Sequence, residues 1–451
     1  MTDRFMLPGV GPPAHVRFPG IAKAALDNGL RVWTIVHPAV PVVSLTLVLD
    51  TGTANDPADR PGLTGLVADL LDEGAGSRNA IELSDALARI GSHLEIDTAP
   101  DATTLSLTTL ARFLPRAMDL LADIMTRPHL SVPDLDRVRE LRVNRLRQMR
   151  RMPGAAGDRA LLAALFGSHP YGHGAFGTTR SLEAITADEA RAFWSNSFGP
   201  ARTTLVIAGD VTTEEALDAA RVAFAHWSGA PPAPAIPPPP SAPVAGRVRL
   251  VNRPGSPQSD LRVGHAGPPR RTPAYHPLVT MNAILGGQFT SRINRKLREA
   301  MGVTYGARTS FDFRATGGSF TCDASVDAGA TAPAIVEMLA ECRAIRSPGS
   351  VGAEELSRAK ASLTRGYVKH FETAGQLARA AAQIVSFDLD EDEYDRFVPR
   401  IDAVTEADIA STAQAFLHPD DSAIVVVGDA ARCQKELASL DRPVDLYEPE
   451  F

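Results

Sequence analysis

His169 and His173 are four residues apart, the spacing at which two imidazoles on one helical face can hold a metal ion. They stand in Gly167-Ser-His-Pro-Tyr-Gly-His-Gly-Ala-Phe-Gly177-Thr, where Pro170, Gly172 and Gly174 exclude a helix, so the segment reads as a structural loop. Asp69 and Asp72 are three apart, with Glu73 beside them. Two carboxylates on one face without a further donor bind a cation only weakly, and they read as surface acids of a helix. Arg137, Arg139, Arg142, Arg145 and Arg147 crowd one segment and raise the question of a phosphate-binding face. The whole chain, however, has 46 Lys and Arg against 53 Asp and Glu, a net charge of −7, and no aromatics interleave the arginines. A solvated face or a partner contact is favoured, and nucleic acid is not expected. Cys322, Cys342 and Cys433 are too few and too scattered for a disulfide framework or a cysteine zinc site.

The elements that must position these residues fall into two halves. At roughly 150 residues per domain, 451 residues allow about three units or two large ones. Residues 231–243 hold eight prolines in thirteen positions, which excludes a helix or central strand. Extended as polyproline II, that segment spans roughly 40 Å as a semi-rigid spacer. The organisation expected is a first half over 20–230, a Pro-rich linker over 231–246 and a second half over 247–440. Ile185-Thr-Ala-Asp-Glu-Ala leads to Phe198-Gly-Pro and Leu205-Val-Ile-Ala-Gly209-Asp210, and Val404-Thr-Glu-Ala-Asp-Ile leads to Leu417-His-Pro and Ile424-Val-Val-Val-Gly428-Asp429. A shift of 219 superimposes the two without a gap, setting Pro200 on Pro419. The opening strands correspond as well, Gly29-Leu-Arg-Val-Trp with Gly246-Arg-Val-Arg-Leu. The fold class expected is therefore α+β, in two duplicated halves.

Within the first half, Val42–Leu49 is β-branched and partly alternating, a strand. Leu63, Leu66, Val67, Leu70 and Leu71 form one apolar helical stripe. Helices are expected at Ile81–Ile90, Leu114–Met125 and, over the basic run, Leu135–Met149, with strands at His93–Thr98 and Thr103–Thr108. The longest apolar stretches, such as Val40–Leu49, fall short of the ~20 residues of a membrane helix. Met1–Pro8 lacks an apolar signal core, so a cytoplasmic protein with no membrane association is expected.

This order of elements, with Arg60-Pro-Gly62-Leu-Thr-Gly65-Leu-Val-Ala68-Asp69-Leu-Leu-Asp-Glu-Gly74, resembles the M16 (pitrilysin-like) metallopeptidases over essentially the whole chain. The resemblance implies two halves, each a mostly antiparallel sheet packed with helices. In the family the glycine-leucine entry leads into His-x-x-Glu-His, two zinc ligands and the base that activates the metal-bound water. The matching positions here are Gly65, Ala68 and Asp69, which supply neither imidazole nor base. The family's third ligand is a glutamate near the middle of the basic helix, where Leu141-Arg-Val-Asn144-Arg145-Leu146 has no acid and an arginine would repel a cation. No metal is expected on this chain. His93 begins the strand whose edge pairs with substrate in active members, and Glu95-Ile96 replaces the family's frequent Asn-Ala there.

The second half keeps the family pattern better, in Leu285-Gly-Gly-Gln-Phe-Thr-Ser291-Arg-Ile293-Asn-Arg-Lys-Leu297-Arg298-Glu299-Ala-Met-Gly302-Val-Thr-Tyr305. Ser291 reads as an N-cap, Ile293 and Leu297 as an apolar stripe, Gly302 as the helix end and Gly286-Gly287 as a turn between helices. The resemblance gives Arg298 and Tyr305 a role: holding a substrate carbonyl and stabilising oxyanion charge at zinc bound in another half. Spacing alone favours Arg298 partnering Glu299 or solvent near the helix end and Tyr305 as half-buried packing; the full motif favours the functional role. The resemblance then implies a non-catalytic subunit of a heterodimeric zinc peptidase. It would complete the peptide chamber and act in trans beside a catalytic M16 subunit that carries His-x-x-Glu-His and the Zn2+, with peptide or unfolded protein as substrate. The alternative is a catalytically silent structural subunit of a larger assembly.

Overall fold

The computed structural model describes residues 17–229, 236–239 and 247–451. The N-terminal Met1–Pro8 stretch, and the Pro-rich linker at 231–246 apart from 236–239, lie outside the described residues.

Each half is built on a six-stranded sheet. In the first, the strand order is Ala22–Ala25, Arg31–Val36, Thr203–Gly209, Val42–Leu49, Thr103–Leu110, Glu95–Thr98. In the second it is Val444–Leu446, Val248–Asn252, Ala423–Gly428, Gln258–Gly267, Gly318–Asp327, Thr304–Phe313. Apart from their first strands the two orders match one for one. Arg31–Val36 pairs parallel with Thr203–Gly209, as Val248–Asn252 does with Ala423–Gly428, and the three pairings beyond are antiparallel in both sheets. The two central strands that superimpose at a shift of 219 therefore hold the same place in both sheets. The free edges also correspond, Glu95–Thr98 in the first half and Thr304–Phe313 in the second.

Side-chain alternation explains how each sheet is covered. Val43, Leu45, Leu47 and Leu49 point into one core with the helices Leu63–Leu70, Leu114–Thr126, Val132–Arg151 and Thr213–Phe224. Ser44, Thr46 and Val48 point to the opposite face. There the second half intrudes: Leu377, Ala378, Ala381 and Ala382 of the helix Ala374–Phe387 pack on Ile35, Val48, Val206 and Ala208. The first half returns the arrangement. Ala156, Ala160, Leu161 and Ala164 of the helix Pro153–Phe166 pack on Val251, Val425 and Val427 of the second sheet. Alanine at the contact positions lets each helix lie close against the sheet it crosses to. The halves are thus interlocked by reciprocal helices.

A polar latch reinforces that union. Tyr171 Oη donates to Asp101 Oδ1 at 2.5 Å, while Asp101 Oδ2 accepts from the Ala315 amide at 2.9 Å. Arg314 Nη1 donates to the Tyr171 carbonyl at 3.1 Å. Burial pushes the Asp101 carboxyl above its ordinary range, against the hydrogen bond from Tyr171.

Two buried histidines make the second half sensitive to acid. Burial pushes His265 and His276 down to about 4. His265 is satisfied as a neutral ring, Nδ1 donating to the Ala266 carbonyl at 2.9 Å and Nε2 accepting from the His418 amide at 3.2 Å. Unfolded chain takes up these protons below the ordinary imidazole value, and folded chain does so only near pH 4. Their contribution is therefore whole above pH ~6.5 and is lost as pH falls from there toward 4, up to roughly 3 kcal/mol each. NMR titration of the ring protons should place both midpoints near pH 4; midpoints near 6.5 would contradict this.

No helix among the described residues is long and apolar enough to cross a membrane.

Candidate functional site

The helix Leu63–Leu70 is started by a side chain outside it. Asp56 accepts from the Gly62 amide at 2.6 Å, the Thr64 amide at 2.7 Å and Thr64 Oγ1 at 2.6 Å, which satisfies donors left open at a helix N-terminus. The loop after His173 closes over this start. A Cβ on Gly62, whose φ is +93°, would lie 2.7 Å from Gly177 Cα. His173 Nδ1 stands 3.8 Å from Asp56 Oδ2. His169 Nε2 meets the Pro237 carbonyl at 2.8 Å, and its Nδ1 accepts from the Tyr171 amide at 3.1 Å. The two histidines flank a short 3-10 turn, Pro170–Gly172, and each is used in holding the loop.

Gly65, Ala68 and Asp69 follow along this helix, and Arg142 from the helix Val132–Arg151 meets them. Its guanidinium forms a close ion pair with Asp69, donates to the Ala175 carbonyl and lies 4.8 Å from the centre of the Phe176 ring. Arg142 is 5% exposed. A Cβ on Gly65 would fall 2.6 Å from Arg142 Nη2 and 2.5 Å from the Ala175 carbonyl oxygen. The guanidinium thus stands against the side of the helix toward which a histidine at 65 would project. Zinc does not fit these residues: imidazoles are missing, the single carboxylate of the three positions is already neutralised, and a fixed cation stands beside it. Among the described residues no three His, Cys, Asp or Glu side chains converge.

Two expectations change here. Asp69 and Asp72 do not share a helical face, because the helix ends at Leu70. Glu73 pairs with Arg137, and burial, with Glu73 and Asp69 nearby, pushes Asp72 up to about 6. The basic helix is not a uniformly solvated face either. Arg142 is inside, and Arg139 donates to the Leu182 carbonyl at 3.0 Å and to the Ile185 carbonyl at 2.5 Å. At the first sheet's free edge the strand begins at Glu95, and His93 Nε2 lies 3.0 Å from Glu95 Oε1.

In the second half the helix Tyr275–Leu285 ends at Gly286, as expected of a turn between helices. A Cβ on Gly286 would lie 2.5 Å from the Thr309 amide nitrogen, so only glycine lets this turn touch the edge strand. The next helix starts at Arg292 and continues over Arg295–Ala300 with wider, π-type hydrogen bonding. Ser291 is at its N-cap, yet its hydroxyl makes no capping bond and is buried without a partner, unlike the expected cap. Gly302 follows with φ +68°, then Thr304–Phe313.

Arg298 and Tyr305 come together across this helix-to-strand turn. The Arg298 guanidinium lies 5.2 Å from the centre of the Tyr305 ring and 4.3 Å from that of Phe289. Tyr305 is 90% exposed, so it is not half-buried packing. Among the described residues Arg298 makes no pair with Glu299 or any other carboxylate. Asn294, one helical turn before Arg298, holds the surroundings: Nδ2 donates to the Phe289 carbonyl at 2.6 Å and Oδ1 accepts from the Ala307 amide at 3.0 Å. Ala307 ends a bulge at which Tyr305 and Gly306 leave the register with Gly318–Asp327. The cleft here, about 710 Å³, is lined by second-half residues that include Asp260, Arg262 and Asp323. Gly65, Ala68 and Asp69 do not line it. Phe289 and Asn294 lie inside the quoted motif, but no periodicity marks them in the sequence.

Residues 31–179 match the family model described as insulinase, peptidase family M16, and residues 184–363 match that described as peptidase M16 inactive domain. An uncharacterized zinc protease of Mycobacterium leprae is 26% identical over 366 residues, 79% of this chain and 80% of that protein. One from Streptomyces coelicolor is 26% identical over 409 residues, 88% of this chain and 87% of that protein. A solved structure of a peptidase M16 inactive domain from Pseudomonas fluorescens superposes with TM-score 0.85 at 22% identity, covering 91% of this chain and 98% of that one.

Proposed function

The chain belongs to the M16 peptidase family, and we propose that within it this is a subunit without hydrolytic power of its own. It completes a peptide-binding chamber around zinc held by a second chain, a catalytic M16 subunit carrying His-x-x-Glu-His. The substrate is a peptide or unfolded protein, and the pair works in the cytoplasm. This chain binds no cofactor itself.

One combination carries the reading. The motif helix faces a buried guanidinium, while the second half keeps a half-buried arginine against two aromatic rings, with no carboxylate among the described residues to neutralise it. Ring faces attract a guanidinium without consuming its N–H donors, so Arg298 is held in place and still able to donate. Its role is to hold a substrate carbonyl, and the Tyr305 phenol donates to charge developing beside it.

Co-expression with an M16 chain that carries His-x-x-Glu-His tests the pairing. The two should co-purify, with zinc accompanying the partner and peptide cleavage appearing only in the complex. If they co-purify and the partner cleaves equally fast without this chain, the silent structural role replaces the proposed one.

A further inference from the structure

Arg142 does more on this face than accompany the loss of ligands. We propose that its guanidinium is the resident cation of the former metal position, so that restoring the three motif side chains alone does not restore metal binding. The proposal concerns the first half only and does not depend on any role for Arg298 or Tyr305.

Three observations converge on it. The guanidinium occupies space: Nη2 stands 2.6 Å from where a Cβ on Gly65 would be, inside the contact distance of any side chain there. It carries the charge, since it is 5% exposed and paired with Asp69, the one carboxylate that the motif positions retain. It also supplies connections. Through Asp69 it ties down the helix Leu63–Leu70, and through the Ala175 carbonyl and the Phe176 ring it ties down the loop that closes over that helix's start. A metal ion coordinated from several segments would provide the same three things: filled volume, positive charge and cross-linking. The exchange is incomplete in one respect, because Arg142 Nε is buried without a partner. A cation entering beside a fixed guanidinium meets like charge.

Zinc ion itself is the probe, in equilibrium dialysis of the full chain with metal analysis. The triple variant Gly65→His, Ala68→Glu, Asp69→His is compared with the same variant carrying Arg142→Met, which removes the cation without adding a ligand. It is also compared with a quadruple variant carrying Arg142→Glu instead, circular dichroism verifying the fold of each. The expected shift is from no stoichiometric zinc in the triple variant to zinc binding at least about tenfold tighter with Arg142→Met, and to one zinc per chain in the quadruple variant. Equal zinc affinity of the triple variant with and without Arg142→Met would overturn the proposal. Stoichiometric zinc in the triple variant, or none in a folded quadruple variant, overturns the proposal. A single Arg142→Met variant tests the cross-linking separately. Amide hydrogen exchange over 173–178 should quicken there while exchange in the second sheet is unchanged, and unaltered exchange over 173–178 would equally overturn it.

Discussion

Arg298→Ala should lower the turnover of the assembled two-chain peptidase by about 10²–10³ while leaving this chain folded and its assembly intact. The size follows from what a donor aimed at developing negative charge is worth inside an enclosed chamber, where fixed hydrogen bonds replace water. The sparing of stability follows from the contacts. Arg298 meets the Phe289 and Tyr305 rings and no carboxylate among the described residues, so its removal exposes no buried charge. Losing the ring contacts of this half-buried side chain should cost about 1 kcal/mol. Tyr305→Phe removes only the phenol O–H from a side chain that is 90% exposed, and should slow the reaction in the same manner without changing assembly. Steady-state kinetics on a quenched peptide should show kcat and kcat/KM falling together, the pattern of an interaction made in the transition state. If both variants assemble and cleave at the wild-type rate, the two residues have no part in the chemistry.

The largest effect on stability is expected where the halves exchange helices. Ala381 is fully buried, with Val206 and Ala208 of the first sheet in the same cluster. Ala381→Glu places an unpaired carboxylate between helix and sheet and overfills a contact that alanine kept close. The expected loss is at least about 4 kcal/mol, a large part of the 5–15 kcal/mol that typically holds a domain folded. Ala164→Glu, at the reciprocal contact on the second sheet, should act alike, because Ala164 is 1% exposed in the cluster containing Val425 and Val427. Arg379→Glu, on the exposed side of the same Ala374–Phe387 helix, serves as the control and should be tolerated. Thermal unfolding followed by circular dichroism separates the cases. Equal melting temperatures for Ala381→Glu and Arg379→Glu would show that the interlock does not hold the halves together.

What the amino-acid pattern made legible, and what it did not, follows from the range of the interactions involved. Val42–Leu49 is a strand over those very residues, and the Leu63-to-Leu71 stripe is a helix, because one buried face imposes period two or 3.6 locally. The duplication is visible at a shift of 219 because both copies keep a fully apolar run, Leu205–Ala208 and Ile424–Val427, in the central strand after a proline turn. The reciprocal helices were not visible, since an alanine-rich helix such as Pro153–Phe166 carries no mark of which sheet it will cover. By sequence alone Arg142 is one of a basic run. Its pairing with Asp69 joins residues 73 apart and depends on two helices meeting. Ser291 illustrates the converse: the residue type suits a cap, but the hydroxyl is buried where no amide reaches it. At the second-half site the motif pointed to Arg298 and Tyr305, while Phe289 and Asn294 became evident only once the turn around the guanidinium was folded.

The most direct measurement of the central claim is a titration of a zinc-loaded His-x-x-Glu-His partner with this chain, following peptide cleavage at fixed partner concentration. Cleavage should rise and saturate at one chain per partner, and Arg298→Ala protein should saturate at the same ratio with little activity. Cleavage by this chain alone in the presence of zinc, or a partner whose rate does not respond to its addition, would contradict the claim.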